Sequence, residues 1–190
     1  MNNSLRAWIF RILLLIGAGL FLASWFMPWW QADISQVGKD VLTMHPYGLE
    51  HNLAMFIVIV ERFLPPFWLT IMGWCFFGVV VLVFLYSLWL RKEGDKFKYE
   101  KFIIPGLGLV YIIYGSIAIF YAIYMLGKVD IPFLGYVGLE TGDVGGTLPY
   151  ETGWEGHLRI GTYLFYGSGL YLMIIGLLRN KIIGKTSTKA

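Results

Sequence analysis

Cysteine is almost missing from this chain. Cys75 is the only one in 190 residues, and it lies inside an apolar run. No intrachain disulfide can form, so any segment outside the helices is held by packing alone. Histidine is nearly as scarce: His45, His51 and His157 are the three, and all fall in polar segments. Haem in a spanning bundle takes its histidines from the helices, so a haem carrier is disfavoured. Charge is nearly missing from four long windows, and no Asp, Glu or Lys sits at the centre of any of them. Proton relays and coupled transport paths need such groups, so a small-molecule transporter is disfavoured too. There is no CxxC and no haem-attachment motif.

Apolar and aromatic residues fill the space that charge leaves. Hydrophobic residues make up 57% of the chain and aromatics 18%, and there are 23 glycines. These windows, with Arg11 near the start of the first as the one charge, predict membrane-spanning helices over about residues 7–27, 67–90, 102–126 and 160–178. Each is close to the roughly 20 residues that cross a hydrocarbon core about 30 Å thick. The first run is too long for a signal peptide, and its exit, Ser24-Trp25-Phe26-Met27-Pro28, lacks a small-x-small cleavage site. It reads as a retained anchor. Trp25, Trp29 and Trp30 fall where an interfacial aromatic belt belongs. Pro105 sits in the first turns of the third helix, where amides lack partners. Gly169 and Gly176 are seven apart on the fourth, so they share a face and predict a packed seam. Cys75 reads as a small apolar core residue.

Basic residues set the orientation. All but four of the 15 Lys and Arg lie at the N-terminus, in the 91–101 turn or after the fourth run; the four are Lys39, Arg62, Lys128 and Arg159. Both termini are expected in the cytoplasm, and the two long loops, 31–66 and 127–159, outside it. The fold class that follows is an all-α membrane protein: one integral membrane domain over 1–190, a four-helix bundle with a small extracytoplasmic β-containing outer domain built from both loops. Residues 32–44 carry weak strand signals, and His45-Pro46-Tyr47-Gly48 is turn chemistry. Residues 53–64 are apolar but too short to span. They predict a helix over the bundle mouth, with Phe56, Ile57, Val60 and Leu64 as its contact face. In the second loop, Asp143 to Thr147 reads as a hairpin turn between branched and aromatic segments. Two loops that cannot stand alone most simply share one sheet.

The order of these elements resembles the claudin and peripheral-myelin-protein group. The residues that carry the likeness are Pro28-Trp29-Trp30 leaving helix one, Pro46-Tyr47-Gly48-Leu49 at the loop turn, and Gly156-His157-Leu158-Arg159-Ile160-Gly161 entering helix four. The group's paired loop cysteines are not present, nor is a Trp after Gly48-Leu49. The likeness implies a left-handed four-helix bundle under a small outer sheet.

No residue pattern names a reaction. The expected function is a non-catalytic accessory or scaffold subunit, or a surface protein that associates with itself, whose partners are the lipid bilayer and other membrane subunits or its own copies. Nucleic acid is not among them. Trp29, Trp30, Tyr47, Tyr136, Tyr150 and Trp154 are the candidate contact residues, since aromatics dominate interface energetics. The rival is a metal-binding or electron-transfer subunit. His45, His51 and His157, with carboxylates nearby, could assemble a copper or zinc site. Their spacing matches no known motif, and ordinary loop histidines are the plainer reading.

Overall fold

The computed structural model describes residues 3–35, 38–52, 67–90, 100–128, 130–138 and 153–183. The helix expected over 53–64 with its contact face, the 91–99 turn, the hairpin at 143–147, Leu148 and Tyr150 lie outside these residues. Within them are four long helices: α1 (Asn3–Phe26), α2 (Phe67–Leu85), α3 (Glu100–Gly127) and α4 (Ile160–Ile183). A π-helical turn, Tyr86–Leu90, continues α2. All four are long and apolar enough to cross a membrane, over Leu5–Phe26, Phe67–Leu88, Phe102–Gly127 and Ile160–Ile182. The windows read from missing charge fall within a few residues of these spans.

Five short strands form one antiparallel sheet: β1 (Trp30–Ile34), β2 (Gly38–His45), β3 (Gly48–His51), β4 (Gly135–Gly138) and β5 (Gly153–Leu158). Their order is β3-β2-β1-β5-β4, so both loops contribute to it, and the seam between them is the β1–β5 pair at the centre. That pair has a simple origin. α1 leads into β1 through three residues, and β5 leads into α4 through Arg159 alone. The antiparallel packing of α1 on α4 therefore continues directly as the antiparallel ladder of β1 on β5.

The junction is closely hydrogen-bonded. Pro28, with no amide hydrogen of its own, stops α1. Its carbonyl accepts from the Gly161 amide at 3.0 Å, so one unpaired amide at the start of α4 is satisfied by the end of α1. The Trp29 carbonyl accepts from the Arg159 amide at 2.9 Å and also from the Thr162 hydroxyl. A Cβ at position 161 would collide with the Pro28 carbonyl, so only glycine permits this approach.

Three helices pack backbone to backbone: α1 on α4, and α4 on α3. Small residues make that possible, as expected for helices in lipid. At Gly108 an added Cβ would lie 2.5 Å from the Gly169 carbonyl, and at Gly176 it would strike the Pro105 ring. The seam read from Gly169 and Gly176 is therefore the α3–α4 contact. α2 is different. It stands off and meets the others through rings: Phe77 on Trp25 at 5.0 Å and on Phe21 at 5.8 Å, Phe76 on Tyr111 at 5.9 Å.

Two expectations need correction. Trp25, Trp29 and Trp30 are fully buried, so they are interior residues and not a belt. Each turns inward because α1 and β1 run straight into the core they share with α4. Among the described residues the exposed tryptophans are Trp8, Trp68 and Trp74. Cys75 is exposed rather than a core residue, because α2 presents few of its positions to the other helices.

Candidate functional site

The sheet has two chemically distinct faces, and strand alternation creates them. Trp30-Gln31-Ala32-Asp33-Ile34 alternates buried and part-exposed residue by residue. Residues opposite one another across a ladder share a face. Met44 and Leu42 on β2 lie opposite Trp30 and Ala32, and Trp154 on β5 lies opposite Ile34. All of these are buried. The other face runs Glu50, Thr43, Gln31 and His157 across four strands, with Asp33 opposite Glu155 beside it.

The polar face is held by one ion pair and two histidine–carboxylate contacts. His157 Nε2 lies 3.4 Å from Asp33 Oδ2, and His45 Nε2 lies 3.7 Å from Glu50 Oε2. Arg159 pairs with Asp40 at 3.0 Å. Asp40 sits where β2 bulges, between the partners of Ala32 and Ile34, with φ at 54°. Aspartate tolerates this left-handed conformation better than most residues. Its amide donates to Asp33 Oδ1 at 2.6 Å, and its carbonyl accepts from Asn52 at 2.9 Å.

The register separates the three histidines. His45 and His157 belong to the polar face, but His51 lies opposite Leu42, whose position is on the buried side. The cause is the two-residue turn Pro46–Tyr47, which pairs His45 with Gly48 and so puts His51 on the alternate face. The trio proposed as a copper or zinc site is not brought together. Among the described residues no three His, Cys, Asp or Glu side chains are grouped as a metal site would need.

The candidate contact aromatics also divide. Trp29 and Trp30 make internal contacts. The Trp29 indole donates to the Ser24 carbonyl at 2.8 Å and its ring packs on Phe165 at 4.4 Å. Trp30 donates to the Phe133 carbonyl at 2.5 Å and stacks on the Phe133 ring, 5.8 Å away and nearly parallel. Trp30 thus ties the first loop to the second. Trp154 is buried as well, whereas Tyr136 is half exposed and Tyr47 part-exposed.

Tyr47 belongs to the tip of the β2–β3 hairpin, which is wedged against α2 and α3. Tyr114 on α3 donates to the Pro46 carbonyl at 2.9 Å, passing over Gly73 of α2, where a Cβ would lie 2.5 Å from its hydroxyl. The Tyr47 ring lies 5.5 Å from Trp74 and stacks on His45 at 5.0 Å. Burial pushes the His45 pKa below 6.5, against the opposing pull of Glu50. Burial and the Glu50 charge both push Tyr47 upward. Below this hairpin lies an apolar cavity of about 60 Å³, between Met44 and Leu49 of the sheet and Leu69, Ala122 and Met125 of the helices.

Gln31, Thr43, Asp40 and Tyr114 were not singled out from the sequence. The alternation of residues 30–34 was the available signal for Gln31. Tyr114 gave none, since a tyrosine inside an apolar helix looks like any other aromatic.

The class these features define is a four-helix chain of membrane-spanning length whose helix ends carry a five-stranded antiparallel sheet. Compared with known proteins, the chain matches no family model, no curated protein and no solved structure.

Proposed function

We propose that this is an integral membrane protein that acts by contact: an accessory or scaffold subunit of a larger membrane assembly, or a protein that associates with its own copies. The helices cross the bilayer, both termini face the cytoplasm and the sheet lies on the outer side. The basic residues at the termini and in the 91–101 turn support that orientation. The observation that carries the contact reading is the polar sheet face, whose Glu50, Gln31, Asp33, Glu155 and His157 are all at least partly exposed. It is ordered by its ladders and polar contacts, so a partner meets a preformed surface and less ordering cost falls on binding. The likeness to the claudin and peripheral-myelin-protein group is one of element order, and no barrier function is carried over from it.

Gentle extraction from the native membrane tests this reading. A co-purifying subunit or a homo-oligomer is expected, and Gln31→Arg with Thr43→Glu on the polar face should disperse it. A chain that emerges alone and monomeric contradicts the contact role. Orientation has its own test. Protease added outside sealed cells should spare the 91–101 turn, and cleavage at Lys96 would reverse the topology.

A further inference from the structure

The cavity below the β2–β3 hairpin lies where α2 and α3 fail to pack backbone to backbone. Its α3 wall runs from Ala118 to Leu126, about 12 Å of helix at the usual rise. Two alanines one turn apart, Ala118 and Ala122, leave the space open. Met44 and Met125 line it from opposite sides, and methionine adapts to irregular occupants. The free volume would admit about four water-sized groups, but a cavity walled by apolar side chains stays dry and takes apolar matter instead. Leu69 is near the start of α2 and Leu126 near the end of α3, so the cavity is at the sheet end of both helices.

Two polar side chains border it, His45 and Tyr121. The His45 side chain is 9% exposed, and its Nδ1 is buried with no hydrogen-bond partner among the described residues. The Glu50 carboxylate beside Nε2 keeps the ring proton on that nitrogen, which leaves Nδ1 as an acceptor. A buried acceptor without a donor is costly, and a ligand that brings an O–H removes the cost.

We propose that this cavity binds one chain of a long-chain amphiphile, entering between α2 and α3, whose hydroxyl group donates to His45 Nδ1. The inference rests on the reading that the helices span a membrane, since the chain must come from the surrounding lipid. Two sources share this chemistry: a free long-chain alcohol, and a neutral glycerolipid with an unesterified hydroxyl.

The test is photolabelling of the full chain in phosphatidylcholine vesicles with hexadecanol carrying a mid-chain diazirine. Label is expected in the tryptic peptides 40–62 and 102–128. Dodecanol should compete roughly fivefold better than dodecane, the preference that one net hydrogen bond allows. Competition by dioleoylglycerol as strong as that by dodecanol assigns the site to a glycerolipid; competition by dodecanol alone assigns it to the free alcohol. Ala122→Phe should fill the cavity and remove the label from these peptides while exposed positions of α2 keep theirs. Ala118→Leu is the smaller filler should the first variant fail to insert. His45→Leu should keep the label but abolish the preference for alcohol over alkane. Wild-type labelling that both fillers leave unchanged, or that dodecane competes as well as dodecanol, overturns the proposal. Alkaline extraction separates the two possible failures. Protein that stays in the membrane yet does not label sinks this site alone, and protein that is released sinks the membrane reading.

Discussion

α2 and α4 make an instructive pair. α2 is the most apolar of the four spans, yet only 17% of its window is buried inside the protein. α4 is the least apolar, and 44% of its window is buried. In a water-soluble protein the order would be reversed, because burial there follows hydrophobicity. Between helices surrounded by hydrocarbon no such driving force acts, and small residues that allow close approach decide which helices pack. α4 presents Gly161, Gly169 and Gly176 to the ends and faces of α1 and α3, while Gly78 of α2 has open space beside it. Hydrophobicity therefore reports where a helix sits, and glycine placement reports what it touches.

The largest expected effect removes α4's tie to the sheet. Trp29→Ala deletes a fully buried ring packed on Phe165 and should cost about 3–5 kcal/mol. Thermal unfolding in detergent micelles reads it, and loss under ~1 kcal/mol would mean that the sheet and α4 are held together elsewhere.

The glycine comparison itself is broken by two matched substitutions. Gly108→Val must displace the Gly169 backbone and should lose about 2–3 kcal/mol, since a carbonyl cannot swing aside as a side-chain tip can. Gly78→Val places its Cβ in open space and should stay within about 0.5 kcal/mol. Equal losses in the two would show that α2 packs as α4 does.

A smaller change concerns the bulge that Arg159, the residue linking β5 to α4, holds from outside. Asp40→Asn keeps a residue that accepts the left-handed backbone but gives up the ion pair. Both partners are more than a third exposed, so a loss of only about 0.5 kcal/mol is expected. Its dependence on salt should vanish in the variant.

The smallest effect is a pH dependence at the α2 side of the sheet. Burial holds the His45 pKa below 6.5, so the unfolded chain takes up a proton at a higher pH than the folded one. Stability should fall as pH drops through 6.5, with Glu50 opposing part of the loss. His45→Phe should flatten that slope between pH 7 and 5. A slope unchanged in the variant would place the titration at another group.

Much of the architecture was legible because it rests on length and local pattern. Four windows of about 20 residues with Arg11 as their one charge can do little in water, and Pro28 marks the end of the first run whatever follows it. The pairing of the two loops was also legible, since short strands need partners. The site was less so. Trp29 and Trp30 have the composition of a belt, and only the direction in which α1 runs into β1 turns them inward. The three histidines look alike in sequence, and a single two-residue turn at Pro46–Tyr47 sends His51 to the opposite face.

By itself the sequence determined how many helices of membrane-spanning length there are, where each one lies to within a few residues, and that no disulfide holds the loops. These follow from local chemistry: apolar length, proline's missing donor and a cysteine count of one. Tertiary structure decided which strand lies beside which, which tryptophans are interior, and that α2 leaves a cavity beside α3. Those outcomes depend on residues far apart in the chain, such as Trp30 with Phe133 and Gly108 with Gly169, whose meeting no local pattern encodes.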